Sequence, residues 1–403
     1  MGIHLRLCAF TAIVFFVWHA PPTAQAPAEP VPGGHWVASW ATASLARSAP
    51  RFNNQTLRQF VYPTLGGSRV RIVLSNVFGT APLRVGHVAV GFAGNQGVLR
   101  PGSARPVTFA GATSVDILPG ATLTSDSVNL QVGSLQGLTI DVYLPGEPAG
   151  ADSPVTMHPN AFQTNYVSTA GNHAGTTEFP VSSSVTSWFF LARVDVFAPP
   201  DAGTVVAVGD SITDGAGSTI DANSRWPDHL ARALAARGVR MGVVNLGISG
   251  NRVLADGAGA STLNRFERDV LSQPGATHLA LVQGINDIGR DATAASLVDA
   301  HRQLVGRARA SALTPIGGTL SPMEGTSFEG YYTDAHEQER QRVNGWIRTG
   351  GEYHAVFDVD AAVRDPSRPT RLLPELAAPD WIHPNDRGYG AIAAAFDAAW
   401  LRH

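Results

Sequence analysis

Thr204-Val205-Val206-Ala207-Val208-Gly209-Asp210-Ser211-Ile212 is the stretch whose reading decides the fold. Its first five residues are a short β-rich apolar run, and Gly-Asp-Ser closes it. Such a run is a strand that stops at a tight turn. With a helix expected soon after, the Ser211 hydroxyl sits above the edge of a sheet. That is a place for a nucleophile, although Gly, Asp and Ser are also ordinary turn residues. Three patches downstream separate the two readings. Asn245-Leu246-Gly247-Ile248-Ser249-Gly250-Asn251 follows the apolar Val243-Val244. Gly284-Ile285-Asn286-Asp287 follows Leu279-Ala280-Leu281-Val282, and Asp380-Trp381-Ile382-His383-Pro384 lies near the C-terminus. Together they supply a serine, a glycine turn, an asparagine amide and an Asp/His pair, the parts that acyl transfer needs.

Around these patches, apolar strands alternate with helical patterns from residue 201 onward. Val205–Val208, Met241–Leu246, His278–Val282, Pro315–Leu320 and Ala355–Val359 read as strands. Trp226, Leu230, Ala233 and Leu234 form a helical stripe ending at Gly238, a natural C-cap. Further helices are expected near Phe266–Leu271, over Leu297–Ala308 and over Ala335–Arg348. A last helix is expected to carry Tyr389, Ile392, Phe396 and Trp400 on one face. Strict alternation of strand and helix implies a parallel sheet covered on both sides. Three of the patches lie just after an expected strand, at the edge where open α/β sheets bind ligands.

Before residue 199 the texture differs. Arg69–Val77, Leu83–Val90, Leu138–Tyr143 and Arg193–Val196 alternate polar and apolar residues, which is the period of half-buried strands. Short strands punctuated by Gly, Pro, Asn and Ser suggest a sandwich or jelly roll. The two textures meet at Pro199-Pro200. The chain therefore divides into a leader at 1–28, a linker at 29–35, a β-sandwich accessory domain at 36–198 and a catalytic domain at 201–403.

The four patches resemble the blocks of the SGNH hydrolases, the GDSL family of esterases and lipases. Ser211 matches the family's first-block serine, Gly250 the second-block glycine, Asn286 the third-block asparagine, and Asp380 with His383 the final dyad. Gly247 is a rival for the second block. The resemblance covers roughly 201–403. It implies the flavodoxin-like three-layer parallel sheet of that fold and hydrolysis of carboxylic esters through an acyl-enzyme. It does not name the ester.

Each residue also has a chemical reason. A serine hydroxyl needs an adjacent base, and His383 is the candidate. Asp380 precedes it by three residues, so its carboxylate can reach Nδ1 and fix the tautomer. Pro384 restricts His383 to extended backbone. Gly250, Asn286 and the Ser211 backbone N–H are the expected oxyanion donors. Asp210 is expected to organise the turn, and Asn251 and Asp287 to act as turn formers. Asp210, Asp214 and Asp221 do not match a calcium-loop spacing, so neither metal nor cofactor is expected. Tyr331-Tyr332 and Trp188-Phe189-Phe190 are candidates either for an acyl pocket or for core.

Composition narrows the classes further. The chain has 403 residues, 44% hydrophobic and 15% charged, with a net charge of −3. No basic patch points to nucleic acid. All 29 basic residues are arginine. Without lysine, P-loop, Schiff-base and Ser–Lys chemistry are excluded. Leu7 to Trp18 is an apolar stretch of 12 residues behind Arg6. A bilayer span needs ~20 residues, so a cleaved secretory signal is expected, with no stable membrane insertion afterwards. The alternative is an uncleaved anchor. Cleavage is expected after Ala28, with Ala24-Gln25-Ala26 as the other pattern. The single Cys8 lies inside this leader, leaving the mature chain without a disulfide.

The expected protein is a secreted or periplasmic serine esterase. Its substrate is a small-molecule or polysaccharide ester, with short acyl groups on sugars favoured. An acyltransferase with the same triad, a lysophospholipase or lipase, and a non-catalytic glycan-binding protein remain open, as does the oligomeric state.

Overall fold

The computed structural model describes residues 33–48, 50–94, 97–146 and 152–401. The expected leader at 1–28 lies outside these residues. Of the expected linker at 29–35, residues 33–35 are described, and His35 opens strand β1 (His35–Ala41).

From β1 to Ala198 the chain is antiparallel. One sheet orders β1, Leu191–Ala198, Val70–Ser75 and Thr122–Thr124. A second orders Val181–Val185, Asn165–Ala170, Gln55–Val61, Leu138–Leu144, His87–Phe92 and Arg105–Val107. Alternate residues such as Leu57, Ile72, Val90, Ile140 and Val194 fill one core between them. The run expected as one strand over 83–90 is two, because Gly86 separates Leu83–Val85 from His87–Phe92. Trp188, Phe189 and Phe190 are buried in this core. Burying rings of that size is a large hydrophobic contribution, so their role here is packing.

The second half is a five-stranded parallel sheet. Its strands are β2 (Gly203–Gly209), β3 (Met241–Gly247), β4 (Ala276–Val282), β5 (Thr314–Gly318) and β6 (Ala355–Phe357). The order across the sheet is β3-β2-β4-β5-β6, that of a flavodoxin-like doubly wound fold. Alternation sends Val206 and Val208 to one face and Val205 and Ala207 to the other. On the first face lie α3 (Thr262–Phe266), α5 (Ala294–Ala310) and α6 (Asp334–Thr349). On the second lie α2 (Trp226–Ala236) and α7 (Asp386–Ala394). Two four-residue helices, α1 (Ser211–Asp214) and α4 (Ile285–Ile288), start at the carboxyl ends of β2 and β4.

The last helix is shorter than its apolar pattern suggests. It ends at Ala394, so Phe396 and Trp400 fall outside it. Asp397 Oδ1 accepts from Ala399 N at 2.8 Å and starts a separate 3₁₀ turn. A short side chain bonding its own backbone competes with helix in this way.

Strand β1 belongs to both halves. Val37 and Trp40 enter the sandwich core, whereas Ala38 and Ala41 enter the core beside the parallel sheet. Ala38 N donates to Pro274 O at 2.8 Å, and Thr204 Oγ1 donates to Ala38 O at 2.8 Å. Thr64 adds a further link, accepting from Val243 N at 2.8 Å. No helix among the described residues is long and apolar enough to cross a membrane.

Candidate active site

Gly209 ends β2 because nothing larger fits there. A Cβ at this position would lie 2.1 Å from Thr213 Oγ1 and 2.4 Å from Val282 O. Asp210 caps α1, its Oδ1 accepting from Ile212 N at 3.1 Å. The turn-organising role expected of Asp210 is the one seen. Ser211 is the first residue of α1, at the carboxyl rim of the sheet.

His383 reaches Ser211 from the far end of the chain. Ser211 Oγ lies 2.8 Å from His383 Nε2, and His383 Nδ1 lies 2.6 Å from Asp380 Oδ2. The carboxylate can only accept, so Nδ1 carries the proton and Nε2 is left to accept from the serine. Asp380 Oδ1 accepts from the backbone N–H groups of His383 at 3.0 Å and Ile382 at 3.2 Å. Partial burial pushes the Asp380 carboxyl up. The hydrogen bonds from the His383 ring and backbone outweigh that and hold it at about 2. Trp381 makes the turn with φ +57°, its ring 3.5 Å from the Arg371 guanidinium carbon.

Gly250 follows β3 and Asn286 sits in α4 after β4, on strands flanking β2. Gly250 has φ +76°, the left-handed region that suits glycine. Asn286 Nδ2 donates to Asn251 O at 3.1 Å, so the loop after β3 and the helix after β4 are joined beside the serine's rim. The Ser211 and Gly250 N–H groups have no protein acceptor among the described residues. Gly247, the rival, is packed within β3, where a Cβ would meet Asp214 N at 2.2 Å.

Asn251 and Asp287 do more than form turns. Asn251 is fully buried, its Oδ1 accepting from Gln283 Nε2 at 2.9 Å and Arg265 Nε at 3.2 Å. Asp287 accepts from Val253 N at 2.9 Å and Leu254 N at 3.0 Å, clamping the loop that carries Gly250. Burial raises the Asp287 carboxyl above its ordinary value.

Tyr331 was a candidate for pocket or core, whereas Phe328 and His158 escaped sequence reading. Tyr331 OH donates to Asn286 Oδ1 at 3.2 Å, which orients the amide. The Phe328 ring stands 6.1 Å from the His383 ring, edge to face, and 5.5 Å from Tyr331. His158, from the antiparallel half, bonds Asp214 Oδ1 at 2.9 Å through Nε2 and Ala43 O at 2.8 Å through Nδ1. Asp214 Oδ2 accepts from Ser249 N and Oγ at 2.8 and 2.7 Å. No spacing in the sequence announces a contact between residues 158 and 214.

The three aspartates weighed for calcium go to separate tasks. Asp210 caps α1, Asp214 takes His158 and Ser249, and Asp221 takes Gln163 and Thr164.

A doubly wound parallel sheet with Ser, His and Asp in hydrogen-bonded series at its carboxyl rim defines the SGNH class of hydrolase fold. Residues 207–391 match the model of the GDSL-like Lipase/Acylhydrolase family. Solved structures similar to it include a GDSL-like lipase from Bacteroides thetaiotaomicron VPI-5482 (20% identity, 49% of this chain and 87% of that one, TM-score 0.38). Another is a carbohydrate acetylesterase family member from Sinorhizobium meliloti (16% identity, 48% and 94% coverage, TM-score 0.39). A third is LAE5, an α/β hydrolase enzyme from the metagenome of Lake Arreo, Spain (26% identity, 50% and 98% coverage, TM-score 0.39). No curated protein sequence matches the chain.

Proposed function

We propose that the protein is a secreted serine esterase that cleaves short-chain acyl esters, in particular acetyl groups on carbohydrates, through an acyl-enzyme. The observation that carries this reading is the unbroken chain Asp380 Oδ2–His383 Nδ1 and His383 Nε2–Ser211 Oγ, at 2.6 and 2.8 Å.

Ser211 Oγ attacks the ester carbonyl while His383 Nε2 takes its proton. Asp380 fixes the ring and stabilises the imidazolium. The oxyanion is met by the N–H groups of Ser211 and Gly250 and by the Asn286 amide. Loss of one such donor costs about 10²–10³ in turnover. The imidazolium then protonates the departing alcohol, and His383 activates the water that releases the acid. Two rings, Phe328 and Tyr331, supply apolar surface beside His383 and favour a short acyl chain. Residues 1–28 direct export, and the β-domain over 36–198 shapes the approach of substrate.

Labelling with a fluorophosphonate probe tests the reading. Wild type is expected to label and Ser211→Ala is not. Failure of folded wild type to label overturns the enzyme and leaves a binding protein. A series of p-nitrophenyl esters then reads chain length, and added acceptor alcohol separates transfer from hydrolysis.

A further inference from the structure

Between the two halves of the chain lies a cavity of about 630 Å³ that the proposed chemistry does not use. Phe60, Tyr62 and Tyr166 line it from the sandwich, and Asp221 closes it from the parallel-sheet half. Phe60 and Tyr166 meet edge to face at 6.1 Å. Tyr62 and Tyr166 are half-buried, so each shows part of its ring. Binding pockets of about 300–1,000 Å³ with aromatic walls and a few placed polar groups are the ordinary form of a small-molecule site.

The polar groups say what kind of molecule fits. Asp221 accepts from Gln163 Nε2 at 2.6 Å and from Thr164 Oγ1 at 2.7 Å. These donors are neutral and no cation pairs with Asp221 among the described residues, so an anionic ligand meets an unpaired carboxylate at the cavity wall. Gln163 lines the same cavity, is 7% exposed, and its Oε1 has no hydrogen-bond partner. A buried carbonyl oxygen left in this state is costly unless a donor arrives. Oε1 is closed off from the cavity as it stands, so a ligand hydroxyl meets it only if the amide turns, and the exposed Asp221 carboxylate is the open acceptor. Asp221 also holds φ +66°, a strained setting for a non-glycine residue, and its N–H donates to Phe162 O at 3.0 Å.

The position connects the cavity to the serine. Asp221 belongs to the segment that leaves α1. Four residues earlier, Gly217 lies against His383 and Pro384, close enough that a Cβ would meet Pro384 O at 2.7 Å. Four residues span at most about 14 Å. An oligosaccharide of a few units covers that distance.

We propose that this cavity is a subsite for a neutral sugar unit of the acylated glycan, several units from the ester being cleaved. It rests on the esterase reading only for the word acylated. Aromatic faces take the apolar face of a pyranose, the Asp221 carboxylate accepts its hydroxyls, and that unpaired carboxylate turns acidic polymers away.

The test uses full-length Ser211→Ala protein titrated calorimetrically with xylohexaose, mannohexaose, N-acetylchitohexaose and hexagalacturonate. At least one neutral hexamer binds and hexagalacturonate does not. Tyr166→Ala in that background weakens binding about tenfold, the equivalent of one lost aromatic contact, and Tyr166→Phe restores it. Tyr166→Leu replaces the alanine variant if that one does not fold. In the active protein, Tyr166→Ala lowers kcat/KM on the acetylated form of the bound oligosaccharide about tenfold relative to p-nitrophenyl acetate. No neutral hexamer bound at millimolar concentration overturns the subsite. So does equal binding by folded Tyr166→Ala, or preference for hexagalacturonate. If wild type hydrolyses no p-nitrophenyl acetate while a neutral hexamer still binds, the esterase reading fails and the subsite stands.

Discussion

Asp380 meets His383 with both carboxylate oxygens, one on the ring and one on the backbone. Replacing it with Asn leaves the backbone acceptor in place but offers the ring a different partner, which favours the wrong tautomer. Asp380→Asn is expected to keep the fold and to lower kcat by about 10⁴. Steady-state rates with an unchanged melting curve check this. Asp210 behaves in the opposite electrostatic sense. Burial, with the nearby Asp287 charge, outweighs its bond from Ile212 and the through-space effect of His383, and raises its carboxyl from 3.8 to about 7. The unfolded chain ionises near pH 4 and the folded one not until about pH 7. Stability from this residue is therefore complete below about pH 4 and is lost as pH rises to about 7, where each unit is worth about 1.4 kcal/mol. Asp210→Asn keeps an acceptor for Ile212 N and does not titrate. Urea midpoints at pH 4.5 and 7.5 should move in the variant's favour as pH rises. Parallel midpoints would exclude a neutral Asp210.

Helix α1 is only four residues long, too short to hold itself in place. It is fixed at Asp210 by its own cap and at Asp214 by His158 from the other half. Both members of this lock are buried, each side chain being 3% exposed. Both His158 nitrogens face oxygen acceptors, so the pair with Asp214 shares a proton that one of them carries. Removing one member of a buried pair costs about 3–5 kcal/mol. His158→Ala is expected to lower unfolding free energy by about that amount in denaturant titration. A loss under 1 kcal/mol would show that α1 does not depend on it. Elements of this kind mark what the sequence could reveal. The strand ends and the Ser211, Gly250, Asn286 and His383 patches were legible because each is a local pattern: an apolar run closed by turn residues. His158 and Phe328 were not, since they reach the rim through tertiary packing from segments with no chemical signature, and Tyr331 was legible only as an aromatic for pocket or core. Asn251 and Asp287 were legible only as turn residues, because their acceptors bind partners across loops.

At the scale of the molecule, the sequence boundary at Pro199-Pro200 separates two sheet systems, but not two packing units. Val37 and Trp40 of β1 sit in one core and Ala38 and Ala41 in the other. Thr64, His158 and Asp221 add bonds across the same junction. Differential scanning calorimetry of the full chain is expected to show one transition. A chain starting at residue 201 is expected to be insoluble, because the surface that covers Pro274, Thr204 and Val243 has gone. Two resolved transitions, or a soluble and active shortened chain, would contradict this. Recombination can transplant a catalytic module only if its hydrophobic interior is self-contained. Here the heptapeptide His35–Ala41 is shared property, so the lineage must inherit both lobes together, and swapping the accessory lobe for another requires that this one strand be rebuilt first.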